Sequence, residues 1–174
     1  MNMLDRELRS LQLFHGLTDE DASHICGALQ ISEFAANQAI LKEGESIQAL
    51  WIILSGECIV SRSAESGPEH PLAILNEGDV FGEMSFVRTA PHSASIRALT
   101  DVTACCYRRD DFLKLSQQHP DIALQVTSNI ADVLAERLRR MDTWVCEIMA
   151  RPDGRKHRSE WETFRSAVYT NWDF

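Results

Sequence analysis

Glu83, Arg88 and His92, set among Gly82, Ser85, Ser93 and Ala94, are the residues of this sequence whose types and spacing best suit binding chemistry. They fall in one run, Phe81 to Ala98, which reads Phe-Gly-Glu-Met-Ser-Phe-Val-Arg-Thr-Ala-Pro-His-Ser-Ala-Ser-Ile-Arg-Ala. If Gly82 to Ser85 open a short helical turn, their free backbone N–H groups point outward as donors, the usual backbone design for holding a phosphate. Glu83 would then accept a hydrogen bond from a hydroxyl. Pro91 to Ala94 reads as a turn, and the alternation at Ser95 to Ala98 reads as a strand. The run is therefore expected to form a concave loop between two strands, suited to a ligand carrying an anionic oxygen and a hydroxyl.

Catalytic patterns are missing from the sequence. There is no Gly-x-Ser-x-Gly, His-Glu-x-x-His, phosphate-loop lysine or dinucleotide fingerprint. His15, His24, His70, His92, His119 and His157 show no metal-ligand spacing. The reading is a binding protein rather than an enzyme, with no metal or other cofactor. The five cysteines, Cys26, Cys58, Cys105, Cys106 and Cys146, form no Cys-x-x-Cys and read as free thiols.

The elements that must position the loop follow from periodicity. Leu4, Leu8, Leu11 and Leu13-Phe14 are spaced for a short helix closed by His15-Gly16-Leu17. Thr18 is an N-cap with Asp19, Glu20 and Asp21 in the first turn of a second helix running through Ile25, Leu29 and Ile31. From Ala39 the pattern becomes short strands: 39–41, 49–54, 57–62, 72–75, 80–81, 95–98 and 102–107. Turn signals separate them at Glu43-Gly44-Glu45, Ser55-Gly56-Glu57, Ser66-Gly67-Pro68 and Asn76-Glu77-Gly78-Asp79. Many short strands at regular spacing indicate an antiparallel sandwich or roll.

Helix returns after the strands. Asp110-Asp111-Phe112 opens a short helix that stops near Gln118-His119-Pro120. Pro120 then starts a long one, because a first-turn proline lacks only an N–H that would be orphaned anyway. Ile122, Val126, Ile130, Val133-Leu134, Leu138, Met141, Val145 and Ile148 recur at threes and fours, close to a heptad seam. Glu136 stands four residues before Arg140, placed for an ion pair. Arg151-Pro152-Asp153-Gly154 breaks this helix, and residues 155–174 read as a terminal helix. Residues 1–150 are expected to form one domain and 151–174 a helical tail.

Composition limits the partners. The 174 residues carry a net charge of -9, split as -8 over 1–118, -2 over 119–150 and +1 over 151–174. So acidic a chain is a poor general binder of nucleic acid, which requires positive charge. The basic stretch Arg155 to Arg158 reads first as a solvated helix start and second as a partner contact. No apolar run approaches a membrane span, and Met1 to Arg9 does not look like a signal peptide, so a cytoplasmic setting is expected.

Phe81-Gly82-Glu83-Met84, with Pro91, Ser93 and Ala94, resembles the phosphate-binding cassette of the cyclic-nucleotide-binding domain family. That cassette opens Phe-Gly-Glu-Leu and closes Pro-Arg-Ala-Ala or Arg-Ser-Ala. Leu13-Phe-His-Gly-Leu-Thr-Asp-Glu-Asp, Leu41-Lys-Glu-Gly-Glu and Trp51-Ile-Ile-Leu-Ser-Gly-Glu resemble other phrases of the family, in its order, over roughly residues 10 to 110. The resemblance implies an α+β fold, an antiparallel β-roll (a double-stranded β-helix or jelly roll) flanked by N-terminal helices and a long C-terminal helix. It is closest in type to a catabolite-activator-like effector domain without the helix-turn-helix, since only about twenty-four residues follow the long helix where that domain takes some seventy.

The same resemblance implies a cyclic nucleotide, cAMP, cGMP or a relative, held by Phe81, Gly82, Glu83, Met84, Ser85, Arg88, His92, Ser93 and Ala94, with Arg137 near the base. It also implies a homodimer through helix 120–150, a protein partner in signal transduction, and no DNA-binding domain or membrane. One position departs from the pattern: His92 stands where the family has the arginine that grips the cyclic phosphate. Arginine is a permanently charged fork making two charge-assisted bonds, whereas neutral imidazole makes one. Three readings follow: a phosphate beside His92 protonates it, Arg88 swings in, or His92 is an exposed loop residue beside a vestigial pocket. In the last case the fold serves as a nucleotide-independent protein-interaction or dimerisation domain.

Overall fold

A computed structural model of the chain describes residues 11–63 and 69–150. The entry is a single 3-10 turn, Gln12–Phe14, that buries Leu13 and Phe14. The part of the expected first helix before residue 11, and the tail 151–174, lie outside the described residues.

Helix α1 (Asp19–Cys26) starts as its sequence dictates. The Thr18 hydroxyl accepts the Asp21 N–H at 3.3 Å, and the Asp21 carboxylate accepts the Thr18 N–H at 2.9 Å, a reciprocal capping box. Those bonds from Thr18 hold the Asp21 carboxyl below the ordinary carboxylate range. The helix ends at Cys26, five residues short of the expected Ile31. Residues Gln30–Phe34 are instead strand β1, paired antiparallel with the strand at 102–108, Gln30 opposite Cys106 and Phe34 opposite Val102. Ile25, Leu29 and Ile31 fit a helical spacing, but β-branched Ile31 and aromatic Phe34 gain more as partners in a sheet.

The remaining strands are β2 (Ala39–Leu41), β3 (Ala49–Ser55), β4 (Cys58–Arg62), β5 (His70–Leu75), β6 (Val80–Phe81), β7 (Ser95–Ala98) and β8 (Val102–Arg108). They form two four-stranded antiparallel sheets, ordered β1-β8-β3-β6 and β2-β7-β4-β5. The expected α+β architecture is present: a β-roll with helices before it and a long helix after it.

Side-chain alternation assigns the faces. Ala49, Trp51 and Ile53 of β3, with Val102, Ala104 and Cys106 of β8, point into the core between the sheets alongside Leu41, Cys58, Phe81, Ile96 and Ala98. Leu50, Ile52, Cys105 and Tyr107 alternate with them and are equally buried. A strand buried on both faces explains why β3 reads as continuously apolar. Burial of each such side chain contributes about 1.5–3 kcal/mol, so β3 and β8 are the structural spine.

Three more helices are present: α2 (Glu83–Val87), α3 (Arg109–Gln118) and α4 (Pro120–Ala150). Phe86 of α2 and Phe112 of α3 have ring centroids 5.2 Å apart, and Tyr107 of β8 lies 6.3 Å and 6.2 Å from them. This aromatic group clamps the five-residue α2 to the sheet. The start of α4 buries Ile122, Ala123, Val126 and Ile130. Asn129, 4% exposed, donates to the carbonyls of Leu13 at 2.7 Å and His15 at 2.9 Å, which ties the entry turn to the helix.

The chain divides at Ile130 into two compact units. In the second, residues 131–150 of α4, Glu136 accepts two bonds from Arg139 and one from Arg140, each at 2.8 Å. The expected Glu136–Arg140 pair is present, and the two guanidinium groups hold the Glu136 carboxyl down at about 2. Leu138, Met141 and Trp144 are exposed. No helix among the described residues is long and apolar enough to cross a membrane.

Candidate functional site

The site begins at a backbone position. β6 ends at Phe81, paired with Trp51 of β3, their rings parallel with centroids 5.9 Å apart. Gly82 then turns the chain in the left-handed region at φ 77°, and a Cβ there would lie 2.5 Å from the Ala49 carbonyl oxygen. Only glycine fits both conditions. The turn launches α2 from Glu83, so the helical opening expected of Gly82 to Ser85 is present.

Along α2 the side chains separate by role. Glu83 and Ser85 are 6% and 3% exposed, Phe86 is the aromatic anchor, and Met84 and Val87 are exposed. The Ser85 hydroxyl donates to the Gly82 carbonyl at 3.0 Å, and the Phe86 N–H donates to the same oxygen at 3.0 Å. Arg109 donates from a terminal guanidinium nitrogen to the Val87 carbonyl at 3.0 Å, closing the far end of the helix. Arg88, just beyond, is exposed.

His92 is not the exposed loop residue of the third reading. It is 7% exposed, its Nδ1 lies 3.2 Å from the Ser85 hydroxyl, and its Nε2 is buried with no hydrogen-bond partner. The turn between β2 and β3 fixes its backbone: the His92 N–H donates to the Glu45 carbonyl at 2.8 Å and the Gly44 N–H donates to the His92 carbonyl at 2.9 Å. The Glu43 N–H donates to the Ser95 hydroxyl at 3.0 Å one step further on. Burial pushes the imidazole below its ordinary pKa, and the nearby Glu45 charge works against that shift as the smaller influence. Burial thus favours the neutral imidazole.

Two contacts join the 82–87 segment to the 92–94 segment, Ser85 to His92 and Met84 to Ser93. Ser93 is exposed, with its hydroxyl 3.7 Å from the Met84 sulfur, and Ala94 is half-buried. Arg137 lies in the second unit, beyond Ile130. Sequence reasoning missed three contributors. Glu45 and Arg109 act through contacts between segments distant in the chain, which no local pattern reports. Trp51 was read only as a strand residue, yet its indole Nε1 is buried without a partner, and its ring edge lies 3.3 Å from where a Gly82 Cβ would stand. An unmet buried donor or acceptor costs about 1–3 kcal/mol, so the two orphaned atoms mark where the site is left chemically unsaturated.

The thiols are free, as read, with Cys58, Cys105 and Cys106 buried. Burial pushes Cys58 up to about 11 and Cys105 to about 12, which makes both unreactive. Among the described residues no three or more histidine, cysteine, aspartate or glutamate side chains are grouped to hold a metal ion.

With that geometry established, the chain can be set beside known proteins. The profile of the cyclic nucleotide-binding domain matches residues 31–119, just over half of the chain. The cyclic AMP receptor protein of Thermus thermophilus is 33% identical over 135 residues, 78% of this chain and 61% of its own length. The regulatory subunit of the cAMP-dependent protein kinase of Emericella nidulans is 32% identical over 113 residues, 65% of this chain and 27% of its own. The crystal structure of the Thermus thermophilus catabolite activator protein superposes with a TM-score of 0.68 at 33% identity, covering 79% of this chain and 62% of that one. The chain thus spans less than two thirds of the length of these relatives. The match runs through the cassette from Gly82 to Ala94 and both sheets that carry it, and the chain belongs to the cyclic nucleotide-binding domain family.

Proposed function

We propose that this chain is a regulatory module that binds a cyclic nucleotide weakly, because an imidazole stands where the phosphate is gripped. The observation that supports this most is the cassette itself: left-handed Gly82, buried Glu83 and Ser85, and a buried His92 with one unsatisfied nitrogen. In this reading the Glu83 carboxylate accepts from a ribose hydroxyl, the phosphate rests against Ser85 and the 92–94 segment, and Arg88 and Met84 line the open rim. Arg137 is the residue that the family resemblance assigns to the base. Relatives named for cyclic AMP make cAMP the first ligand to try, with cGMP beside it.

Residues 1–150 act as the domain and 151–174 as its tail. The long helix pairs two copies, the chain performs no catalysis, and it works in the cytoplasm by passing a ligand-induced shift to a protein partner. That shift is limited by the ligand's preference between two arrangements.

One observation favours a second reading. His92 Nε2 is closed off from solvent, as it would be in a fold retained for protein interaction alone. Isothermal titration of wild type and His92→Arg with cAMP and cGMP separates the two. A hydrogen bond to a charged group contributes about 1.5–3 kcal/mol, so the arginine variant is expected to bind roughly ten- to a hundred-fold tighter. No heat from either protein at millimolar ligand would leave the interaction-domain reading.

A further inference from the structure

The hydrogen bonds around His92 decide which form of its ring can meet an anion, and the inference drawn from them rests on the proposed reading of the cassette as a cyclic-phosphate site. Ser85 has one hydroxyl proton and two acceptors within reach of it, the Gly82 carbonyl at 3.0 Å and His92 Nδ1 at 3.2 Å, and the nearer carbonyl is taken as its partner. Towards His92 Nδ1, 3.2 Å away, the same oxygen can then act only as an acceptor. With the hydroxyl so placed, Nδ1 carries the ring proton of the neutral imidazole and Nε2 is left as a bare lone pair. Among the described residues nothing donates to that lone pair. A phosphate oxygen is itself an acceptor, so it would be repelled by neutral His92 in this tautomer. Only the imidazolium presents N–H groups at both nitrogens, one for Ser85 and one for the ligand.

We infer that the cassette takes up its anionic ligand together with one proton, which is bound at His92 Nε2. The proton comes from solvent and converts a repelling lone pair into a charge-assisted donor, so cyclic-nucleotide affinity in this protein is set by pH. The surroundings suit such a site. Burial keeps the ring neutral while no ligand is present, and the phosphate then supplies the negative charge that reverses the balance. From the turn between β2 and β3 the ring is faced by Glu45, which favours the charged form, and Lys42 and Glu43 lie on the same turn. From α2 it is met by neutral Ser85, with Glu83 buried at the helix start and Arg88 exposed past its end. The two backbone bonds to Gly44 and Glu45 hold His92 in place.

The competing route needs no proton. Ser85 would turn its hydroxyl to Nδ1, abandon Gly82, and leave the neutral ring protonated at Nε2. Calorimetry distinguishes the two. cAMP is titrated at pH 7.5 in HEPES and in Tris, whose ionisation enthalpies differ widely, and the difference in observed heat gives the protons taken up. Uptake approaching one proton is expected, with an apparent Kd that weakens towards tenfold for each pH unit above neutrality. His92→Arg should bind with no uptake and no such pH dependence. His92→Gln, neutral and of similar size, should bind weakly at every pH and controls for a poorly folded arginine variant. Wild-type binding with zero uptake and a constant Kd from pH 6 to pH 8 would overturn the inference while leaving the cassette reading in place. Failure of wild type, His92→Arg and His92→Gln to bind at pH 6 would instead remove the cassette reading, and the inference with it.

Discussion

Replacing Gly82 by alanine tests whether the cassette is held by backbone geometry, and Gly44 provides an internal control. Both glycines are left-handed, at φ 77° and 83°. An L-residue in that conformation costs about 1–2 kcal/mol, and both variants lose this much. Only at Gly82 does the new methyl meet protein: the Ala49 carbonyl oxygen at 2.5 Å and the Trp51 ring at 3.3 Å, against nothing within 4 Å at Gly44. Ala49 lies on β3, the strand buried on both faces, so its carbonyl cannot retreat without disturbing the pairing with β8. Overpacking of this kind costs about 1–3 kcal/mol more. The smaller unfolded-state entropy of alanine offsets both variants by a similar amount, about 0.4–1 kcal/mol, and cancels in the comparison.

Gly82→Ala is therefore expected to be less stable than Gly44→Ala by roughly 1–3 kcal/mol, a further fall in melting temperature of about 2–12 °C for a chain of this size. Urea unfolding followed by far-ultraviolet circular dichroism measures the difference directly. Equal stability of the two variants would mean that β3 and the cassette yield easily to each other, and the account of a rigid Gly82 turn would be wrong.

Two further outcomes follow from the same structure. The unfolded chain protonates His92 near its ordinary pKa of about 6.5, whereas the folded chain resists, so between those values the folded state binds fewer protons and stability rises with pH. The contribution of His92 is thus fully present above that ordinary pKa and is lost as pH falls below it. Urea midpoints between pH 5 and pH 7.5 should drop more steeply for wild type than for His92→Gln, and parallel curves would contradict the burial argument. In the second unit, the exposed Leu138, Met141 and Trp144 are expected to be covered by a second copy. Leu138→Asp should convert a dimeric mass in light scattering to a monomeric one, and a monomeric wild type at micromolar concentration would dispose of the dimer.

Most strands were legible because glycine turns punctuate them and alternation runs between the turns. β3 and α4 were legible because their apolar patterns are long enough to exceed chance. β1 was not, since Ile25, Leu29 and Ile31 satisfy a helical spacing, and the partner that makes Gln30–Phe34 a strand is β8, far along the chain. The cassette could be located from Gly82-Glu83 and Pro91 to Ala94, which lie within the segment that matches the family. The burial of His92 could not be read. It is imposed by the 44–45 turn and by Ser85, and a loop histidine shows the same local sequence whether it faces solvent or the interior. The clamp on α2 was equally hidden, because Phe86, Tyr107 and Phe112 meet only once the sheet is formed.

The exchange of arginine for histidine also changes what the site can report. A guanidinium is charged at every physiological pH, so an arginine cassette responds to ligand concentration alone. If His92 takes up a proton with the ligand, as inferred above, occupancy depends on two concentrations, ligand and proton. Linkage works in both directions: if protonation tightens the ligand, the ligand raises proton affinity by the same factor. The bond from Ser85 to Gly82 connects that event to the turn that launches α2, because the carbonyl it occupies also accepts the Phe86 N–H of α2. A ring that becomes charged strengthens its bond to Ser85 and pulls on the residue that anchors α2 to the sheet. Protonation at His92 is thereby linked to β8 and α3 through its contact with Ser85, the two bonds on the Gly82 carbonyl and the ring contacts of Phe86 with Tyr107 and Phe112.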